Sequence, residues 1–281
     1  MPTNLYEAAW IFLIYAFLGW ICEVSFAALE LGKFVNRGFL NGPVCPIYGV
    51  GMLAVVSVLW PIRKNALLLI FGAAVLTTAI EFITGFFLEK VFHTKWWDYS
   101  DMPFNIKGYI CLKFTVLWGL AAALVVGAVH PFLYLMIRKT PFQVGIVFMV
   151  LFFLVFAVDL LITVAALIKL PRKLNAMLEL EKTLNILADK IGGNVSEVTI
   201  AAANKKNELI EENKPKLLEW KAEYAKKVAE YKRLANEWSF VHLRIFKAFP
   251  KLKSGRYKTI FERLASIKAL RQGEKHESDQ L

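Results

Sequence analysis

The chain has few of the residues from which disulfide frameworks, metal centres and nucleotide-binding loops are built. Its three cysteines, Cys22, Cys45 and Cys111, are an odd number with no CxxC or Cys/His spacing, so they read as packed thiols. The four histidines, His93, His130, His242 and His276, are scattered, none with a helical partner at metal-ligand distance, and no metal site is assigned. No GxxxxGK(S/T) sequence occurs, which excludes a P-loop ATPase within this chain; an ATP-driven role would need a separate ATPase subunit. The residues call for no cofactor.

Charge is scarce in the first 168 positions. Of the 34 Lys and Arg, 24 fall from Lys169 onward, as do 15 of the 23 Asp and Glu. The composition is 57% hydrophobic with mean hydropathy +0.47, and the apolar residues gather in runs that match a hydrocarbon core of ~30 Å, which takes about 20 helical residues. This predicts an all-α, polytopic helical membrane bundle of about five spans, at 8–30, 44–60, 66–90, 110–137 and 142–168. They form a transmembrane domain over 1–168, followed by a basic helical tail over 169–281. The second run is short, opens with Pro46 and carries Gly49 and Gly51, so it reads either as a span or as a broken, re-entrant segment. No basic n-region precedes the first run, which reads as a retained span.

The net charge of +11 lies mostly outside the runs and points to membrane lipid rather than nucleic acid as a partner. Near the span ends, Lys33, Arg37, Lys90, Lys95, Lys107, Lys169, Arg172, Lys173 and Lys182 lie on one side; Arg63, Lys64, Arg138 and Lys139 lie on the other. The larger set predicts a cytoplasmic tail, with the loops after the first and third runs on the same side.

Three acids interrupt the runs: Glu23, Glu81 and Asp159. Each lies seven to nine residues from the end of its run, roughly 10 to 14 Å at 1.5 Å per residue, which predicts a carboxylate layer near the cytoplasmic end. Acids at such depth face a bundle interior or a wet cavity. Thr77, Thr84 and Gly85 share a helix face with Glu81, as Tyr15, Gly19 and Ala27 do with Glu23; Asp159 has only Thr163. Arg37 and Lys113 are the candidate counter-charges. The acids read either as proton or cation ligands, or as hydrogen-bonded ties within the bundle.

The loops offer further candidates. Asn36, Arg37 and Asn41 place a guanidinium and two amides near the carboxylates, an arrangement that suits a phosphate, a carboxylate or a lipid headgroup; the alternative is a snorkelled Arg with turn-forming Asn. Trp96, Trp97 and Tyr99 fit an interfacial aromatic belt. Asp98 between them, followed by Asp101, Asn105 and Gly108, fits instead a cap over a cavity mouth.

At these residues the chain resembles the bacterial membrane-protein family labelled putative ABC-transporter type IV, or CmpB-like. The likeness rests on Gly19-Trp20 with Glu23, Asn36-Arg37-Gly38 through Gly42-Pro43, Pro46-Ile47-Tyr48-Gly49, Glu81, Trp97-Asp98-Tyr99-Ser100, Asn105, Gly108, Ile110-Cys111-Leu112 and Trp118-Gly119. It covers about the first half of the chain; Ala248-Phe249-Pro250-Lys251 and Lys253-Ser254 also resemble the tail of some members. The resemblance implies a permease in a bacterial plasma membrane, and adds Tyr48 to the candidate ligand-binding residues.

The tail has helical rather than transmembrane periodicity. Gly192-Gly193 predicts a helix stop after a segment over 172–191, a second segment runs over about 196–213, and Pro215 fits the first turn of a third. Residues 244–275 hold ten basic residues against Glu262 and Glu274, with Phe261, Leu264, Ile267 and Leu270 opposed by Lys258, Arg263, Lys268 and Arg271. This is the pattern of a helix on anionic lipid, or of a basic helix docked on its own tail.

These readings converge on a permease-like protein that holds a small polar or ionic solute in a cytoplasm-facing cavity. Glu23 and Glu81 are the expected ligands, Arg37 the anion anchor and residues 97–99 the gate. Five spans without a visible inverted repeat are few for a complete transporter, which implies a homo-oligomer or other membrane subunits. An intramembrane enzyme acting on a lipid or isoprenoid, with the two glutamates as acid and base, and a non-catalytic scaffold are the alternatives.

Overall fold

The computed structural model describes residues 1–92, 95–203, 207–249, 259, 260 and 262. It falls into two compact units, Met1–Ile168 with Phe240–Leu252, and Lys169–Ser239 with Lys253–Leu281. Most of the basic 244–275 segment, including Arg263, Lys268 and Arg271, lies outside the described residues, as do His93, His276 and residues 250–254.

The first unit is an all-α membrane bundle. Helix α1 (Leu5–Leu31) starts where the Asn4 side chain accepts from the Glu7 amide, and it stops at Gly32, whose φ of 65° closes the last turn in the left-handed region. Helix α2 (Pro46–Leu59) runs into a 3₁₀ turn at Trp60–Ile62. Helix α3 (Ala66–Phe92) returns to a short hairpin of β1 (Asn105–Ile106) and β2 (Ile110–Cys111). Then α4 (Leu112–Leu124), a π turn (Val125–Val129) and α5 (His130–Lys139) form one continuous crossing. Pro131 cannot donate to the carbonyl four residues back, and the wider turn before it absorbs that break. Helix α6 (Phe142–Ala203) completes the crossings.

Among the described residues, four helices are long and apolar enough to span a membrane: Leu5–Leu31, Ala66–Phe92, Leu112–Lys139 and Phe142–Ala203. The remaining apolar helix, Pro46–Ile62, covers about 25 Å at 1.5 Å per residue. Its start explains the shortfall. The Cys45 amide donates to Ala16 O at 2.9 Å, and Ala16 lies near the middle of α1, so the chain between α1 and α2 descends to the mid-depth of the bundle before α2 begins. Gly19 and Gly49 permit this approach: a Cβ on Gly19 would stand 2.2 Å from the Tyr48 ring, and one on Gly49 2.6 Å from Phe12 O.

Packing closes the end of the bundle remote from this loop. Val55, Val56 and Leu59 of α2 meet Leu69 and Ala73 of α3 and Ala122, Ala123 and Val126 of the fourth crossing. Ile11, Tyr15 and Ile137 seal α1 against α5. Outward-facing residues such as Phe71, Ile83, Leu151 and Val155 are exposed, as expected of a surface solvated by lipid chains.

In the second unit, α6 beyond Ile168 and α7 (Asn207–Asn236) form a helical pair. Leu170, Leu174, Met177, Leu180, Leu184 and Leu187 are buried at three- and four-residue spacing, the pattern of a coiled-coil seam. Lys173 over Trp238 (4.5 Å) and Lys190 over Trp220 (5.8 Å) fix an antiparallel register. Two expectations are corrected here. Helix α6 passes through Gly192-Gly193 without a stop, and Pro215 sits inside α7 rather than in its first turn. Two glycines weaken a helix by about 1 kcal/mol each, less than the buried row that precedes them returns.

Candidate functional site

Between α1, α2, α3 and α4 lies a cavity of about 680 Å³, lined among others by Tyr15, Glu23, Arg37, Tyr48, Glu81, Trp97, Tyr99 and Trp118. Its deep part is apolar, with Leu18, Met52, Ile80, Ala122 and Val125 on the wall. Phe39, Trp96 and Phe249 line it as well; Trp96 packs edge-on against Phe249 at 4.9 Å and tilted against Phe39 at 5.2 Å.

Two intramembrane acids face this space from different helices. Glu23 Oε1 accepts a 2.7 Å hydrogen bond from the Tyr48 hydroxyl, and Oε2 lies 3.7 Å from Arg37 Nε. Arg37 is shared with Glu30 at 3.5 Å. Glu81 Oε1 accepts from the Tyr99 hydroxyl at 3.2 Å. No basic side chain among the described residues pairs with Glu81, and its buried Oε2 has no hydrogen-bond partner of normal geometry. Burial, and after it the Glu81 carboxylate, push the Tyr99 hydroxyl above the ordinary phenol range, so it remains a donor at neutral pH.

An aromatic arc joins the two hydroxyl donors. Tyr48 meets Trp118 edge-on at 5.8 Å, Trp118 stacks with Phe114 at 6.4 Å, and Phe114 stacks with Tyr99 at 4.7 Å. Both motif segments thus deliver a tyrosine to a glutamate, and α4 holds the tyrosines in register.

The third acid does different work. Asp159 does not line the cavity; it accepts from the Asn41 amide (3.1 Å), the Asn41 side chain (2.7 Å), the Gly42 amide (2.7 Å) and Thr163 Oγ1 (3.2 Å). Asn36 accepts from Trp20 Nε1 and the Gly38 amide, and donates to Asn41 O. Helix α8 (Phe240–Ala248) adds Arg244, which donates to Asn41 Oδ1 (3.0 Å), Gly38 O (2.6 Å) and Phe39 O (2.8 Å). Irregular backbone at membrane depth needs such partners, because lipid supplies none. Asp159 and Arg244 therefore saturate a loop that would otherwise be costly.

The second motif segment is held by its own chain. Trp97 Nε1 donates to Tyr109 O at 2.8 Å, Asp98 accepts from the Ser100 amide, and the Asn105 side chain donates to Ser100 O and Met102 O. Gly108, at φ 75°, brings its backbone under Asp98 and Ser100 where a Cβ would clash. Lys113, a candidate counter-charge, is exposed over the Phe114 ring at 5.9 Å.

Of the sequence-derived candidates, the structure brings Glu23, Arg37, Tyr48, Glu81, Trp97 and Tyr99 to one cavity. Asn36, Asn41, Asp98, Asn105, Lys113 and Asp159 lie outside its lining. Arg244 was not singled out, and Trp118 entered only through the resemblance. Arg244 sits in a basic tract where one cation looks like its neighbours, and Trp118 lies on an apolar helix, so neither carries a local signal for its role.

The fold and the cavity define a polytopic helical membrane protein with carboxylates on an internal cavity wall. The chain belongs to the family described as putative ABC-transporter type IV, whose sequence model matches residues 10–164. No solved structure matches the chain. The matched stretch includes every cavity residue named above except Phe249.

Proposed function

We propose that this chain is a permease-like subunit that binds a small polar or ionic solute in the cavity between α1 and α3 and passes it across the membrane. The observation that carries this reading is the pair of glutamates on separate helices at the wall of one cavity, each held by a tyrosine from a motif segment. Glu23 and Glu81 serve as proton or cation ligands, Arg37, expected as an anion anchor, pairs with Glu23, and the 97–99 segment gates the mouth. Asn36, Asn41, Asp98, Asn105 and Asp159 serve the site by fixing the two segments that supply Tyr48 and Tyr99. The Lys and Arg distribution supports a mouth and tail on the cytoplasmic side, in the bacterial plasma membrane that the family resemblance implies. The family's name supports pairing with a separate ATPase subunit, and the small number of crossings supports assembly with a second copy.

The test is substitution that removes charge and keeps shape. Glu23→Gln and Glu81→Gln should each express and fold normally and fail to restore the phenotype of a strain lacking the protein. Two acids acting as one unit make the double variant little worse than either single one. Full function in both single variants would defeat the proposal.

A further inference from the structure

The charge balance of the cavity wall narrows the class of ligand. Three ionisable charges line it, those of Glu23, Arg37 and Glu81. Arg37 lies 3.7 Å from Glu23, while Glu81 has the Tyr99 hydroxyl and the Trp118 side chain as neutral partners and no basic one among the described residues. Among the described residues of the wall, no side chain therefore compensates the charge that Glu81 carries when it is ionised. An anion would need a free cation, and among the described residues the one cation on the wall, Arg37, is already divided between Glu23 and Glu30.

The surroundings of Glu81 decide which cation fits. Hard ions such as Mg²⁺ or Ca²⁺ take six to eight oxygen ligands; here the lining offers two separate carboxylates and their tyrosine hydroxyls. Among the described residues no three His, Cys, Asp or Glu side chains come together as ligands. Apart from Arg37, Thr77 and Thr84, the rest of the wall is mostly apolar or aromatic. Tyr48, Trp97, Tyr99 and Trp118 line the space with Glu81, and aromatic faces attract cations that have shed their water, above all quaternary ones. Deeper in, Leu18, Met52, Ile80 and Val125 offer contact for an apolar body. A cavity of about 680 Å³ has the size of ordinary small-molecule sites.

Resting on the reading of this cavity as a solute site, we infer that its ligand is a monovalent lipophilic organic cation, such as a tertiary or quaternary ammonium or a phosphonium. The cation's charge sits against Glu81 among the aromatic rings, and its apolar substituents fill the deep part. A strongly hydrated ion would lose its water there without replacement, and a neutral apolar molecule would leave the Glu81 charge unanswered.

Tetraphenylphosphonium and tetraphenylborate have nearly the same shape and opposite charge, which isolates the charge preference. Equilibrium dialysis of each against the full chain in nanodiscs of uncharged lipid should give saturable binding of tetraphenylphosphonium and none of tetraphenylborate. Glu81→Gln should weaken tetraphenylphosphonium binding at least tenfold, whereas Glu179→Gln in the tail should leave it within twofold. Equal binding of both ions, or a Glu81→Gln affinity within threefold of the native one, overturns the cation assignment while leaving the solute-site reading to the complementation test above. Absence of binding by either ion also overturns it. The comparison of the two ions on the native chain needs no variant to fold.

Discussion

Replacing Asp159 by alanine should release the loop between α1 and α2. Four hydrogen bonds lose their acceptor at once, those from the Asn41 amide, the Gly42 amide, the Asn41 side chain and Thr163 Oγ1, and only the Asn41 side chain keeps a second acceptor, Thr163 Oγ1 at 3.1 Å. Each unsatisfied buried donor costs about 1–3 kcal/mol. Arg244, whose charged form is opposed by burial and favoured by Asp159, loses that nearby anion as well. Relaxation and water recover part of this, so the loop should lose about 3–5 kcal/mol of local stability, near the upper end for single substitutions. Every 1.4 kcal/mol is tenfold, which raises the open population by two to three orders of magnitude.

Cys45 is a native reporter of that opening. It is buried, and its amide is tied to Ala16 O. In a Cys22→Ser, Cys111→Ser background, a maleimide should modify Cys45 at least 100-fold faster after Asp159→Ala, with a lower melting temperature in detergent. Asp159→Asn should fall between the two, because the amide keeps one acceptor and loses the charge. Unchanged protection of Cys45 in the Ala variant would refute the assignment of Asp159 as the clasp of this loop.

Arg244→Lys should lower the melting temperature nearly as much as Arg244→Ala, because an ammonium cannot reproduce a fork directed at three acceptors; with Asp159→Ala it should combine less than additively, since both act on Asn41. Gly19→Ala should destabilise by about 1–3 kcal/mol and displace Tyr48 from Glu23, seen as loss of any activity that depends on Glu23. Gly192→Ala meets nothing within 4 Å and should stabilise the α6–α7 pair by about 0.5–1 kcal/mol, read from thermal unfolding by circular dichroism.

The membrane crossings are legible because a run of about 20 apolar residues has few other uses. The convergence of Glu23 and Glu81 was also within reach, since helical spacing put each acid on a face of small and polar residues. The hydrogen bonds of Asp159 were not. An acid at the same depth as the others carries the same sequence signal, and only the descent of Asn41 and Gly42 to mid-depth distinguishes a clasp from a ligand. Arg244 lies about two hundred residues from the carbonyls it binds, beyond any local pattern. Gly192-Gly193 misled for the opposite reason: a strong local stop signal yields within a long helix whose row of buried leucines precedes it.

The most direct measurement is the accessibility of the cavity wall. With the native cysteines replaced by serine, a cysteine at Thr84, which lines the cavity, should react with a membrane-impermeant cationic methanethiosulfonate in inside-out vesicles and not in right-side-out ones. The same substitution at Val75, an exposed position of α3 outside the cavity lining, should stay unmodified from either side. Failure of Thr84→Cys to react from both sides would contradict the account of a solute site open to the tail side of the membrane.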